Sequence, residues 1–233
     1  MNSFPRGDLA IVIGAAGGIG GALLQTLQRS EIFAGAVAFS RGSSPPLDLL
    51  DEASIAAGAE YISRIGVPRL IIVATGLLHA ASMQPEKSWR QLNPVHMADA
   101  FAINVIGPAL IAKHFLPLLP REGKSVFATL SARVGSIGDN QLGGWYSYRA
   151  SKSALNQCIR TAAIELKRRR PAAICVALHP GTVQTGLSAP FAKASLEVQP
   201  PAAAAERLLA VVDRLGPADT GGFFDHRGAP VPW

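Results

Sequence analysis

Leu9-Ala10-Ile11-Val12-Ile13-Gly14-Ala15-Ala16-Gly17-Gly18-Ile19-Gly20 is the stretch on which the reading of this chain turns. Five apolar residues closed by a glycine predict a buried strand. Residues 14–20 predict a tight, glycine-rich turn. Ile19, Leu23, Leu24 and Leu27 then recur at helical spacing, which predicts a helix over 19–29. The glycines are ordered G-x-x-x-G-x-G rather than G-x-G-x-x-G, yet the physics is shared. A turn without side chains lets the backbone approach a pyrophosphate, and the helix N-terminus behind it offers free N–H groups and a positive dipole end. Gly14, Gly18, Ile19 and Gly20 are therefore candidate dinucleotide contacts.

Outward from this unit, largely apolar stretches at 34–39, 69–74, 125–130 and 174–178 predict further strands. Helical spacing or composition covers 51–65, 95–119, 147–169 and 202–215, with Pro108 expected to kink the second of these. Residues 132–145 read as a polar, glycine-rich loop. Residues 182–201 read as irregular, a candidate substrate lid. The tail from 221 to 233 holds Phe223-Phe224 and little else regular. Strands alternating with helices predict an α/β fold, a Rossmann-type doubly wound parallel sheet with helices on both faces. No linker or repeat divides residues 1–233, so one domain is expected.

Composition narrows the class. Hydrophobic residues make up 48% and charged residues 16%, which excludes a disordered chain. Two cysteines exclude a disulfide scaffold, and Cys158 and Cys175 read as core residues in a reducing compartment. No run of about 18 apolar residues is present, so no membrane span is expected. Residues 1–8 lack a secretory signal pattern, and a cytoplasmic location is expected. The net charge of +6 is scattered apart from Lys167-Arg168-Arg169-Arg170, placed where a helix should end. Cations there complement the helix dipole, so no nucleic-acid partner is expected. The five histidines show no ligand spacing and read as satisfied or surface residues; no metal is expected. His79, just beyond the third strand on the cofactor side, is the exception to watch.

Two further points carry chemistry. About twenty residues beyond the glycine turn, an acid would hold the ribose hydroxyls of NAD. This chain has Ser40-Arg41 there, and a hydroxyl with a guanidinium suits a 2′-phosphate, so NADP is expected over NAD. Asp48, before Leu49, is placed to accept from an adenine amino group. Farther on, Tyr148-Arg149-Ala150-Ser151-Lys152 sets a phenol and an ammonium one helical turn apart. The lysine charge is expected to favour the phenolate and lower the tyrosine pKa, so that the phenol can exchange a proton with a carbonyl or alcohol oxygen.

With these motifs the chain resembles the short-chain dehydrogenase/reductase family over almost its whole length. The resemblance rests on the glycine turn, Asn104, Tyr148 with Lys152, and Pro180-Gly181 with Thr185. Within the family it is most similar to the C-factor group, which includes the sniffer-type carbonyl reductases. That match is carried by Gly135-Ser136-Ile137, by residues 148–156, and by the tail from Gly222-Phe223-Phe224 to Pro232-Trp233. The resemblance implies Tyr148 as acid-base residue, Lys152 as its tuning charge and ribose holder, and Asn104 as holder of a water in a proton relay. It implies cofactor contacts at Ser40, Arg41, Asp48, Leu49 and Gly76, and at Pro180, Gly181, Val183 and Thr185 after the fifth strand. It also implies a small carbonyl or alcohol substrate, metal-free hydride transfer, and a homodimer or homotetramer built on the two long helices. Trp145 and Phe191 are candidates for the pocket wall or lid and Trp233 for a subunit contact; plain packing accounts for each equally well.

Two departures stand out. The family's Asn-Asn-Ala-Gly after the third strand reads Val73-Ala74-Thr75-Gly76 here, so the asparagines that steady this loop are gone. The family's substrate-binding serine falls on Ala132. Ser131, one residue earlier, faces the other way on an extended segment, so it serves only if the loop shifts; Ser136 is the other candidate. Losing one positioned donor removes about 3 kcal/mol of transition-state stabilisation. The expected function is an NADP-dependent carbonyl reductase. The rival is a nucleotide-binding signalling protein with weak or absent turnover. A hydrolase on a similar sheet lacks its G-x-S-x-G elbow.

Overall fold

The first strand has neighbours on both sides. In the computed structural model, which describes residues 1–81, 83–191 and 198–233, β1 (Leu9–Ile13) pairs in parallel with both β2 (Gly35–Phe39) and β3 (Pro68–Val73). β3 pairs with β4 (Ser125–Leu130), β4 with β5 (Ala173–His179), and β5 with β8 (Phe223–Asp225), all in parallel. The described sheet thus runs β2-β1-β3-β4-β5-β8. Its order reverses at β1, and the crevice between the C-terminal ends of β1 and β3 is where a doubly wound sheet receives ligands. This is the expected fold class.

Alternation along the strands sorts the core into two layers. Ile11, Ile13, Ile71, Val73, Phe127, Cys175 and Ala177 face one way. They pack on Ile55 and Ile62 of α2 (Glu52–Ile65), Ile111 and Phe115 of α4 (Gly107–Phe115), and Leu155 and Ile159 of α5 (Tyr146–Arg169). Val12, Ile72, Val126, Ala128 and Val176 face the other way, onto Leu23 and Leu27 of α1 (Gly18–Gln28) and Leu208 and Val212 of α6 (Pro201–Arg214). The boundaries have local causes. Asp51 caps α2 by accepting from Ala53 N, and Asn93 caps α3 (Pro94–Phe101) by accepting from Val95 N and His96 N. The basic run closes α5, where Arg170 donates to the carbonyls of Leu119 and Pro117.

Three expectations need correction. The tail does more than hold two phenylalanines, because β8 is the sheet's sixth described strand, and Trp233 stacks on Phe223 at 5.8 Å. Three residues are too few for period-2 patterning to show. The region 182–201 includes two short strands, β6 (Thr182–Val183) and β7 (Val198–Gln199), paired in parallel; residues 192–197 of the expected lid lie outside the described residues. Between α3 and α4 the helix continues through a π turn, Ala102–Ile106, with Pro108 inside the first turn of α4. Proline cannot donate to the carbonyl four residues back, and its ring crowds that carbonyl, so widening the helix just before it relieves the clash. By length and composition alone the run Pro94–Leu118 would suffice to cross a membrane, a test that the core helix of a folded protein also passes. Here its Ala100, Asn104, Ile111 and Phe115 are buried.

Candidate active site

The glycine turn follows β1 and is held from both sides. Gly14 N and Ala15 N donate to Phe39 O at 2.9 and 3.2 Å. Gly14 has φ +92°, and a Cβ there would lie 2.9 Å from Ala74 O, so both the turn and the approach to β3 require glycine. Helix α1 starts from Gly17 with no side-chain cap and no acid in its first turn. Its positive end carries no compensating side chain. Thr185 sits across from it, its Cγ2 2.8 Å from where a Gly18 Cβ would be. Pro180 and Gly181 lead into that loop, and Val183 is buried in β6.

At the end of β2, Ser40 Oγ accepts from Gly42 N at 3.2 Å, which leaves its proton to donate. Arg41 is exposed and pairs with no group among the described residues. Asp48 Oδ1 accepts from Leu50 N, and Leu49 packs against Gly107. Gly76 lies over the innermost groups: a Cβ there would be 3.6 Å from both Asn104 Oδ1 and Lys152 Nζ.

Asn104 is fully buried in the π turn. It accepts from Leu77 N at 2.7 Å and donates to Leu77 O at 2.8 Å and Ser151 Oγ at 3.0 Å. These bonds anchor the loop that has lost its asparagines. One turn of α5 carries Tyr148, 8% exposed, and Lys152, 3% exposed. Lys152 Nζ donates to Leu130 O at 2.9 Å and stands 5.8 Å from the Tyr148 ring centre. The Tyr148 hydroxyl bonds to no described residue.

The pKa expectation is corrected. Burial dominates and raises the phenol above its ordinary value, while burial pulls Lys152 down to about 8. The ammonium serves Leu130 O rather than the phenol. Tyr148 is therefore held protonated at neutral pH.

Ser131 does not reach this site: its hydroxyl donates to Asn156 Oδ1 at 2.6 Å inside the fold. Ser136 accepts from Asp139 N and is equally buried. Ala132 is extended, at the start of a short 3-10 turn. His179, read above as satisfied or surface, has a buried Nδ1 with no hydrogen-bond partner, and burial lowers its pKa to about 4.

Residues 36–213 match the sequence model of a family described as enoyl-(acyl carrier protein) reductase. A 1-hydroxy-2-glutathionyl-2-methyl-3-butene dehydrogenase of Rhodococcus sp. strain AD45 is 31% identical over 96% of this chain and 98% of its own. The chain belongs to the short-chain dehydrogenase/reductase family. The C-signal protein of Myxococcus xanthus is 37% identical to this short-chain dehydrogenase/reductase over 62% of the chain and 85% of that protein. The NADPH-bound carbonyl reductase from chicken fatty liver superposes with a TM-score of 0.85 at 25% identity, covering 98% and 95% of the two chains. Within the family its similarity to C-signal places the chain with the C-factor group.

Around Tyr148 the dehydrogenase/reductase carries an aromatic arc. Trp145 meets Tyr148 edge-on at 6.3 Å and Phe191 at 5.2 Å, and Phe191 meets His79 at 5.5 Å. Trp145 and Phe191 also line a cavity of about 890 Å³ with Pro85, Glu86 and His96. Glu86 was not legible in the sequence. It lies in an aperiodic stretch, and no spacing ties it to a partner 61 residues away.

Proposed function

We propose that this oxidoreductase is an NADPH-preferring carbonyl reductase in which Tyr148 handles the proton. The observation that carries the reading is the buried Tyr148–Lys152 pair, reached from the glycine turn through Ala74, Gly76 and Asn104. The residues fit the cofactor: an uncapped helix start for the pyrophosphate and, at the end of β2, a free guanidinium for a 2′-phosphate. Gly14, Gly18, Ile19, Gly20, Ser40, Arg41, Asp48, Leu49, Gly76, Pro180, Gly181, Val183 and Thr185 would hold it, with Lys152 at the nicotinamide ribose.

When bound, NADPH supplies hydride to the carbonyl carbon. Tyr148 gives its proton to the carbonyl oxygen as charge develops there. The Lys152 charge, 5.8 Å from the Tyr148 ring centre, stabilises the phenolate left behind through space, its hydrogen bond being made to Leu130 O. Asn104 has its side chain engaged on Leu77 and Ser151, so a relay water falls to its main-chain carbonyl, to which Pro108 has no N–H to offer. The whole chain acts as one domain, with Pro190 and Phe191 of the 182–201 region lining the pocket. The groove of α4 and α5 lined by Ala109, Ala112, Leu116 and Ala162 supports a homo-oligomer, and two free cysteines are in keeping with the cytoplasm.

Arg41→Ala is expected to weaken NADPH binding about 10- to 100-fold, the worth of a charge-assisted hydrogen bond, and to leave NADH binding unchanged. Tryptophan quenching on titration reads both; equal losses for the two cofactors would take Arg41 out of the specificity. Ala132→Ser is expected to raise kcat/KM by up to about 100-fold, since it restores the missing donor. No gain in steady-state assays would assign substrate binding to another group. The signalling reading predicts cofactor binding with no turnover across a carbonyl panel, and that panel separates the two.

A further inference from the structure

Trp145 occupies the N-cap of α5 with φ +53°, the only non-glycine residue with positive φ among those described. Gly143 and Gly144 precede it at +63° and +66°. An indole cannot cap a helix, because it has no oxygen to accept the free N–H groups of the first turn. Those groups are instead served from the loop after β3. Glu86 O accepts from Trp145 N at 2.5 Å, and Glu86 Oε2 accepts from Ser147 N at 3.2 Å. Glu86 Oε1 accepts from the Ser147 hydroxyl. Glu86 is 4% exposed, and a Cβ on Gly144 would lie 3.3 Å from its carbonyl oxygen.

We infer that Glu86 is a positioning residue for the active site. It caps α5 from outside the helix, fixes the first turn that bears Tyr148, and frees position 145 for an aromatic side chain. An ordinary Ser or Asp cap at 145 would satisfy the backbone but remove the wall between Tyr148 and Phe191. The left-handed backbone at Trp145 is a sparsely populated conformation, and Glu86 is what holds it there. The consequence for Tyr148 rests on the carbonyl-reductase reading; the consequence for Trp145 does not.

The test uses Glu86→Gln, Ser147→Ala and the double variant. Each single variant is expected to lower kcat about tenfold, as a small misplacement of a reacting group does, with NADPH affinity within about twofold of the parent. The double variant is expected to be no worse than the poorer single one, because both disrupt the same Glu86–Ser147 side-chain contact. Trp145 fluorescence, read with Trp89 and Trp233 replaced by phenylalanine, is expected to shift in every variant. Lower melting temperature with unchanged kcat and unchanged emission would make Glu86 merely structural and overturn the inference. If Tyr148→Phe turned over like the parent, the reductase reading would fall, while the emission result would still decide the role of Glu86.

Discussion

Tyr148→Phe is expected to lower kcat for carbonyl reduction about 10³-fold, within the range that one general acid supplies. NADPH affinity should stay within about twofold. The hydroxyl bonds to no described residue, so its removal breaks nothing in the fold. Phenylalanine fills the same buried space and keeps the edge contact with Trp145 at 6.3 Å. Melting temperature should therefore hold, and the loss should lie in kcat rather than in binding. Single-turnover measurements at saturating NADPH separate the two. Turnover equal to the parent would remove Tyr148 from the chemistry.

Lys152→Met is expected to abolish most turnover and yet stabilise the ligand-free protein at neutral pH. Burial lowers the Lys152 pKa from 10.5 to about 8. The unfolded chain thus binds more proton than the folded one between pH 8 and 10.5, and stability contributed by this group rises with pH across that window. Below pH 8 the buried charge costs about 3 kcal/mol. Methionine removes that cost but leaves Leu130 O without its donor, an offset of about 1–2 kcal/mol. The variant should be about 1–2 kcal/mol more stable at pH 7, and its advantage should vanish or reverse by pH 10.5. Tyr148, whose folded pKa is raised above 10, contributes alike to parent and variant and cancels in their difference. Denaturant melts at pH 7 and pH 10 check this, and a gap that does not narrow would show that Lys152 is not held against its charge.

What could be read in the sequence follows from where the signal is local. Leu9–Ile13 is a continuous apolar run and Ser125–Leu130 a largely apolar one broken by Ser125 and Thr129, and both are strands with those bounds. The glycine turn and the Tyr148–Lys152 spacing are short-range patterns with one mechanical meaning each, and the fold brings them together. What escaped depends on long-range placement. β8 is three residues long and is made a strand by its partner β5. Glu86 acquires its role only when the loop after β3 meets the start of α5. The Tyr148 pKa went the wrong way because helical spacing reports the lysine's proximity, whereas burial, which outweighs it, is a property of the packed molecule.

The π turn at Ala102–Ile106 has a consequence for how this chain can vary in length. It amounts to one residue more than an ordinary helix needs. Deleting a residue there would return the backbone to α geometry, so local energetics favour the shorter helix. The same deletion would rotate Asn104 about 100° away from Leu77 and Ser151, and the loop after β3 would lose its anchor. Local and global preferences are opposed at this point, a small site of frustration kept inside a minimally frustrated fold. Substitutions on the exposed face, such as at Ile106, should pass easily; single-residue deletions in the turn should not.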